Sequence, residues 1–240
     1  MESNAKIIRF VVILTVVVAG VLTLLREVTL PMAERNEEIF NKRAILSAVV
    51  AEIGDGTKTI SDYSDDEVLD IFDKKVTQTS VKVDGSTVAD IQAEDIDMAK
   101  EKKKDDAEKV LPFFTYNNEG EKFYILAVRG NGLWDEIWGY IALRSDKSTI
   151  AGAAFDHKGE TPGLGAEIKD NKTFPASFKD KKINDANGQF VSVLVKKGGA
   201  EIGNPHQVDG ISGATVTANG VTEMLERGIK YYGPFLKTVE

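Results

Sequence analysis

The chain opens on an almost unbroken apolar run: from Ile7 to Leu25 only Arg9, Thr15 and Thr23 interrupt aliphatic, aromatic or small residues. Wound as a helix at about 1.5 Å per residue, the run reaches roughly 28 Å, close to the roughly 30 Å of a bilayer's hydrocarbon core. A cleaved signal peptide has a shorter apolar region, about 7 to 15 residues, ending at small residues. Here the run passes Ala19 and Gly20 and stops at Arg26 and Glu27, which predicts a retained transmembrane helix over 7–26. Lys6 and Arg9 mark its start and Arg26 at its far end is offset by Glu27. The positive-inside bias therefore puts residues 1–6 in the cytoplasm and the rest of the chain on the periplasmic side of a bacterial inner membrane.

Past the run the period changes. Pro31 is expected to break the helix or begin a new one. Ile39, Leu46, Val50 and Ile53 recur at helical spacing up to the GDG stretch of Gly54 to Gly56. Ser64 and Glu67 have the spacing of a capping box, predicting a second helix with Val68, Ile71 and Phe72 on its buried face. Glu94 to Lys109 mixes both charges with little apolar content and reads as a solvated helix or linker. From Phe113 the pattern turns to strands: 123–128, 137–143, 148–155 and 189–195 are β-branched and aromatic runs separated by Gly, Asn and Asp. In the last, Val191, Val193 and Val195 alternate as on a two-faced sheet. A final helix carries Val221, Leu225, Gly228, Ile229 and Tyr232 on one face, and Gly233 with Pro234 is expected to end it. The fold class is α+β: one N-terminal transmembrane helix, a helical lobe and charged linker over 27–110, and an extracytoplasmic antiparallel-sheet domain over 111–240.

Composition narrows the chemistry. A net charge of −8 over 240 residues argues against nucleic acid as a partner. With no cysteine, disulfides, thiolate zinc sites and cysteine-ligated clusters are excluded, so redox work would need an organic cofactor. No strand leads through GxGxxG into a helix, and GNGLWD at Gly130 to Asp135 fails that template, so this chain carries no NADH site of its own. His157 and Glu160 have i, i+3 spacing without further ligands, which reads as a loop histidine rather than a metal site.

The stretch with the most to say is VDGISGATVTANGV, Val208 to Val221, which enters the final helix through small and hydroxyl-bearing residues. Two readings fit those residue types. A helix N-terminus presents free amides and a positive dipole end to an anion such as phosphate. Equally, Ser212 and Thr217 could satisfy backbone groups in a turn that holds nothing.

Residue order separates them. DGISGAT, Asp209 to Thr215, resembles the Asp-x-x-Ser/Thr-Gly-Ala-Thr covalent flavinylation sites of membrane electron-transfer complexes. HKGETPGLGAEI (157–168) resembles the ETPGLG loop that accompanies such sites. GLWDEIWGYIAL (132–143), HQVDGISGATVTANGV and GPFL resemble the C subunits of the sodium-translocating NADH:quinone reductases. The G subunit of the Rnf complex, which shares the flavin motif and the loop, is the alternative; the GLW strand, the VDG run before SGAT and the GPFL ending favour the C subunit.

The resemblance implies an FMN joined through its phosphate to Thr215 Oγ1, with 111–240 as the covalent FMN-binding domain. Asp209, Ser212, Gly213 and Ala214 complete the recognised sequence, and Thr217 lies near the helix's first amides. Glu160, Thr161, Gly163, Leu164 and Gly165 form a loop beside the cofactor, and Leu133 and Trp134 offer contacts to the ring. Trp138 and Tyr140 read as core, and His206 as a turn residue. Implied partners are the other subunits of a membrane redox complex and a flavin transferase for maturation. An anchored, non-redox binding module is the reading from a different class; it predicts no covalent cofactor.

Overall fold

The computed structural model describes residues 2–54 and 56–239; Asp55, in the middle of the expected GDG stop, lies outside them. The chain divides into two compact units, residues 1–41 and 42–240. The described residues of the first, 2–41, all lie in a long helix, α1 (Glu2–Ser47), whose last residues belong to the second. Its apolar residues from Ile7 to Val28 are exposed along the run, and it is long and apolar enough to cross a membrane, with a mean hydropathy of 2.7.

Pro31 does not break α1. It removes one amide, the donor to the Glu27 carbonyl. In the turn before it, the Thr29 hydroxyl donates to the Leu25 and Arg26 carbonyls at 2.9 and 3.3 Å. The regular helix instead stops at Ser47, followed by a 3-10 turn over Val50–Glu52.

The second unit is built on a six-stranded sheet. Helix α2 (Asp65–Lys75) starts on the expected capping box: Ser64 Oγ accepts from Glu67 N, and the Glu67 carboxylate accepts from Ser64 N at 2.7 Å. There follow β1 (Val76–Lys82), β2 (Thr87–Val88), the one-turn α3 (Met98–Glu101), β3 (Val110–Asn118), β4 (Glu121–Asn131), β5 (Glu136–Leu143) and β6 (Ile150–His157). The spatial order is β2-β1-β3-β4-β5-β6, with every neighbouring pair antiparallel. The segment expected to be a helical lobe and linker thus supplies two strands, and position 110 is not a domain boundary.

Strand β4 explains why the middle of the sheet reads as continuous apolar sequence. Tyr124, Leu126 and Val128 point into one core, and Phe123 and Ile125 into the other, as period-two alternation requires of a strand covered on both faces. The first core is closed by α6 (Thr215–Leu236) through Val221, Leu225, Ile229 and Tyr232. The second is closed by Leu46, Val49, Val68 and Phe72.

Helix α6 runs through Gly233 and Pro234 to Leu236, beyond its expected end. The acceptor that Pro234 leaves unpaired belongs to exposed Lys230, while Phe235 and Leu236 are drawn into the core; Phe235 stacks edge-on to Phe113 at 4.9 Å. At the end of the β3–β4 ladder, Pro112 has no amide to donate. The Tyr232 hydroxyl closes that gap, its proton shared between the Pro112 and Ala127 carbonyls at 2.9 Å each.

The expected strand over 189–195 shrinks to β7 (Leu194–Lys196), which pairs in parallel with β8 (Gln207–Asp209) as a separate two-stranded sheet. Val191 and Ser192 both donate to the Ile183 carbonyl, at 2.8 and 3.0 Å, and Ser192 adopts φ 63°. That left-handed residue breaks the extended run, leaving Val191 exposed while Val193 and Val195 are buried. Two single-turn helices, α4 (Glu167–Asp170) and α5 (Thr173–Ala176), pack against β6. Glu94 to Lys109 is more than a solvated linker: Glu101 and Lys109 are buried, and Glu101 Oε2 accepts from Val110 N at 2.9 Å.

Candidate functional site

The site forms where three segments distant in sequence meet at the start of α6. The chain enters that helix through a tight turn in which Ala214 N donates to Ile211 O at 3.2 Å and Gly213 takes φ 76°. That conformation calls for glycine, and a Cβ built there would lie 2.6 Å from Leu164 Cδ2, which would have to swing aside. Ala214 is the N-cap and offers no side-chain acceptor, so the first amides of a 22-residue helix are uncapped. The hydroxyls of Ser212 and Thr215 have no protein hydrogen-bond partner among the described residues.

Beside this turn lies a cleft of about 470 Å³, lined by Asp209–Gly213, Thr215 and Ala218 together with Lys197, Gly198 and Gly199. Asp209 braces the turn at Gly198 and Gly199: its Oδ1 accepts from Ala200 N at 2.6 Å. Gly198 and Gly199 turn the chain with φ 83° and 105°. Lys197, Gly198 and Gly199 were not predicted from the sequence. Their one signal is the Gly-Gly pair, a turn marker with no chemistry of its own.

The second segment is the loop after β6. Its fold is local: Leu164 N and Ala166 N both donate to Thr161 O at 3.1 Å, and Gly163 takes φ 75°. Glu160 leaves this loop pointing inward and is only 5% exposed. Its Oε1 accepts from Trp134 N at 2.9 Å and from Asp135 N at 3.5 Å, and its Oε2 accepts from Thr217 Oγ1 at 2.5 Å. One carboxylate therefore ties the β4–β5 connection and the loop to α6. Thr217, expected among the free amides of the helix start, is fully turned inward to this bond and 1% exposed.

Glycines make room for the carboxylate. A Cβ on Gly132 would lie 2.5 Å from Glu160 Oε1; one on Gly165 would overlap Glu160 Oε2 and sit 2.6 Å from Thr217 Oγ1. Burial pushes the Glu160 carboxyl up, but the bonds from Thr217 and from the amides of Trp134, Leu133 and Asp135 outweigh it and hold the group below its ordinary value. It stays ionised at neutral pH.

The third segment, the β4–β5 connection, carries Leu133 and Trp134. Trp134 Nε1 donates to Thr161 Oγ1 at 3.0 Å, fixing the indole over the loop while leaving it 69% exposed. Leu133, Leu164 and Val216 are also exposed. Large apolar side chains gathered at one place on a soluble surface mark a binding site more often than scattered ones do.

The other candidates fall elsewhere. His157 Nδ1 accepts from Glu160 N at 3.1 Å and so shapes the loop. His206 Nδ1 donates to the Lys182 carbonyl at 2.7 Å, away from the motif. Trp138 lies under the Arg129 guanidinium at 4.9 Å, and Tyr140 packs into the second core, where burial pushes its phenol up to about 12.

Comparison with known proteins gives a consistent picture. The FMN-binding domain family matches residues 132–230. The C subunit of the Na(+)-translocating NADH-quinone reductase of Pseudomonas aeruginosa is 32% identical over 237 residues, covering 88% of this chain and 84% of that protein. The Vibrio vulnificus C subunit is 40% identical over 129 residues, and this match spans only about half the length of either protein, 53% of this chain and 50% of that one. The crystal structure of the C subunit from Parabacteroides distasonis superposes with a TM-score of 0.75 at 36% identity, covering 87% of this chain and 97% of that one.

Proposed function

Because this chain belongs to the C-subunit family of the Na(+)-translocating NADH-quinone reductases, we propose that it is the flavin-carrying electron relay of such a complex, holding FMN by a phosphodiester to Thr215 Oγ1. The observation that carries the reading is the state of Thr215: an unengaged hydroxyl at an uncapped helix start, opening on a cleft and flanked by exposed apolar side chains.

The residues fit the group. Uncapped amides and the dipole of α6 favour a phosphate, and Lys197, in the cleft lining and without an ion pair among the described residues, adds positive charge. Leu133, Trp134 and Leu164 present apolar surface suited to a planar ring. Bound FMN supplies the redox chemistry. The chain's own part is to hold the phosphate at α6, to fix the ring's apolar neighbours through Glu160 and Thr161, and to leave one edge of the site open for electron exchange.

The remaining assignments follow from this reading. The apolar part of α1 anchors the chain in the bacterial inner membrane with residues 42–240 on the periplasmic side. Anchoring keeps the flavin at high effective concentration beside neighbouring subunits. A flavin transferase makes the covalent link. NADH oxidation and quinone reduction then belong to partner subunits, and sodium transport is a property of the complex, since the apolar run contains no acidic residue to bind a cation.

The test is intact mass and in-gel flavin fluorescence of the chain co-produced with a flavin transferase, beside Thr215→Val. The added mass of FMN phosphate is expected in the wild type and absent from the variant. An unmodified wild-type chain, in cells that flavinylate a control protein, refutes the proposal.

A further inference from the structure

Glu160 has an attribute that its hydrogen bonds do not require. Its oxygens receive the amides of Trp134 and Asp135 and the hydroxyl of Thr217. A glutamine could serve the same partners: its carbonyl would take the two amides, and its NH₂ would donate to Thr217 Oγ1, which accepts as readily as it donates. The cavity between Gly132 and Gly165 admits either side chain, because the two differ by little in shape. What glutamate alone brings is charge.

That charge has no counter-ion. Among the described residues no lysine or arginine pairs with Glu160. The cations around the loop pair elsewhere, Lys102 and Arg129 with Glu136 and Lys158 with Asp135, and Lys197 in the cleft lining makes no ion pair with Glu160 among the described residues. A buried, unpaired carboxylate is normally avoided or neutralised by protonation. Here it persists ionised on hydrogen bonds alone, its Thr217 partner two residues along α6 from Thr215.

Resting on the flavin reading above, we infer that Glu160 is a positioning residue that also tunes the cofactor, its uncompensated charge lowering the reduction potential of the flavin carried at Thr215. Each electron that reaches the ring adds negative charge in the field of a fixed carboxylate, so the reduced state is disfavoured. Low-dielectric surroundings keep that field from being screened as a surface charge would be. Unit charges on the order of 10 Å apart, at an effective dielectric of about 20, shift such an equilibrium by about tenfold.

The experiment is a potentiometric titration at pH 8 of the full-length, detergent-solubilised holoprotein, with flavin content measured first. Glu160→Gln is expected to raise the potential by about tenfold in the one-electron equilibrium, equivalent to about 59 mV. Thr217→Val keeps the charge but removes the bond that disperses it, so its potential is expected to fall. The opposite signs separate charge from shape, because a purely structural role would move both variants the same way. A Glu160→Gln potential within threefold of wild type at equal flavin content overturns the inference, as does a shift of the same sign in both variants. If Glu160→Gln yields no holoprotein, Thr217→Val decides: a fall supports the inference, and a rise or no change overturns it. A wild-type chain without flavin would instead sink the parent reading.

Discussion

Helix α6 contains a glycine, Gly220, whose replacement by alanine should destabilise the chain even though it lies inside a helix. Alanine is favoured over glycine in a helix interior by about 1 kcal/mol, so at an unobstructed position the change would stabilise. Gly220 sits where α6 crosses the end of β4. A Cβ there would overlap the Asn131 carbonyl oxygen, with the carbonyl carbon at 3.2 Å and Gly132 Cα at 3.5 Å. These are backbone atoms of a paired strand end, so neither can swing aside. Overpacking of this kind costs about 1–3 kcal/mol or more, which outweighs the propensity gain and leaves Gly220→Ala destabilised by about 1–2 kcal/mol. For a unit of this size each kcal/mol moves the midpoint by about 2–4 °C, so Gly220→Ala should melt below wild type. Thermal unfolding of the solubilised chain, followed by circular dichroism, reads the difference. A Gly220→Ala protein that melts above wild type would refute the argument that the start of α6 rests directly on the β4 backbone.

Three further outcomes are expected. Tyr232→Phe leaves the buried Pro112 and Ala127 carbonyls without their shared donor and should cost about 1–3 kcal/mol in denaturant unfolding with flavin content unchanged. Gly213→Ala combines a left-handed backbone with the Leu164 contact; it should lose about 1–2 kcal/mol and incorporate less flavin, read by fluorescence per mole of chain. The folded pKa of Glu160 lies below its ordinary 4.5, so the stability it contributes is complete above about pH 4.5 and is lost as pH falls through the lower, folded value. The stability gap between wild type and Glu160→Gln, measured by urea unfolding across pH 3 to 8, should therefore be constant near neutrality and close in acid.

Legibility in the sequence followed how local each determinant is. The capping box of α2, the apolar runs of β4, β5 and β6 and the buried stripe of α6 depend on neighbours a few residues away, and each was readable. Strand β1 was not, because its TQTSVK sequence alternates small polar residues and resembles a linker until β3 lies beside it. The two prolines misled for a related reason: one lost hydrogen bond is a local cost, whereas the continuity of α1 and the burial of Phe235 and Leu236 are not local. In the site, the order of residues from Asp209 to Thr215 was conspicuous. The partners of Glu160 were not, being 26 and 57 positions away at Trp134 and Thr217. Lys197 enters the cleft only through the pairing of β7 with β8.

The place of α6 in the order of elements has a consequence for maturation. All six strands of the main sheet precede it in sequence, and they pair largely as consecutive hairpins, so a growing chain can assemble the sheet before α6 emerges. One face of that sheet stays uncovered until Val221, Leu225, Ile229 and Tyr232 dock on it. The turn that presents Thr215 takes its shape only as α6 docks, since Leu164 and Glu160 brace it from the sheet side. A modifying enzyme that recognises the turn in that shape would thereby act on finished molecules and pass over nascent or misfolded ones.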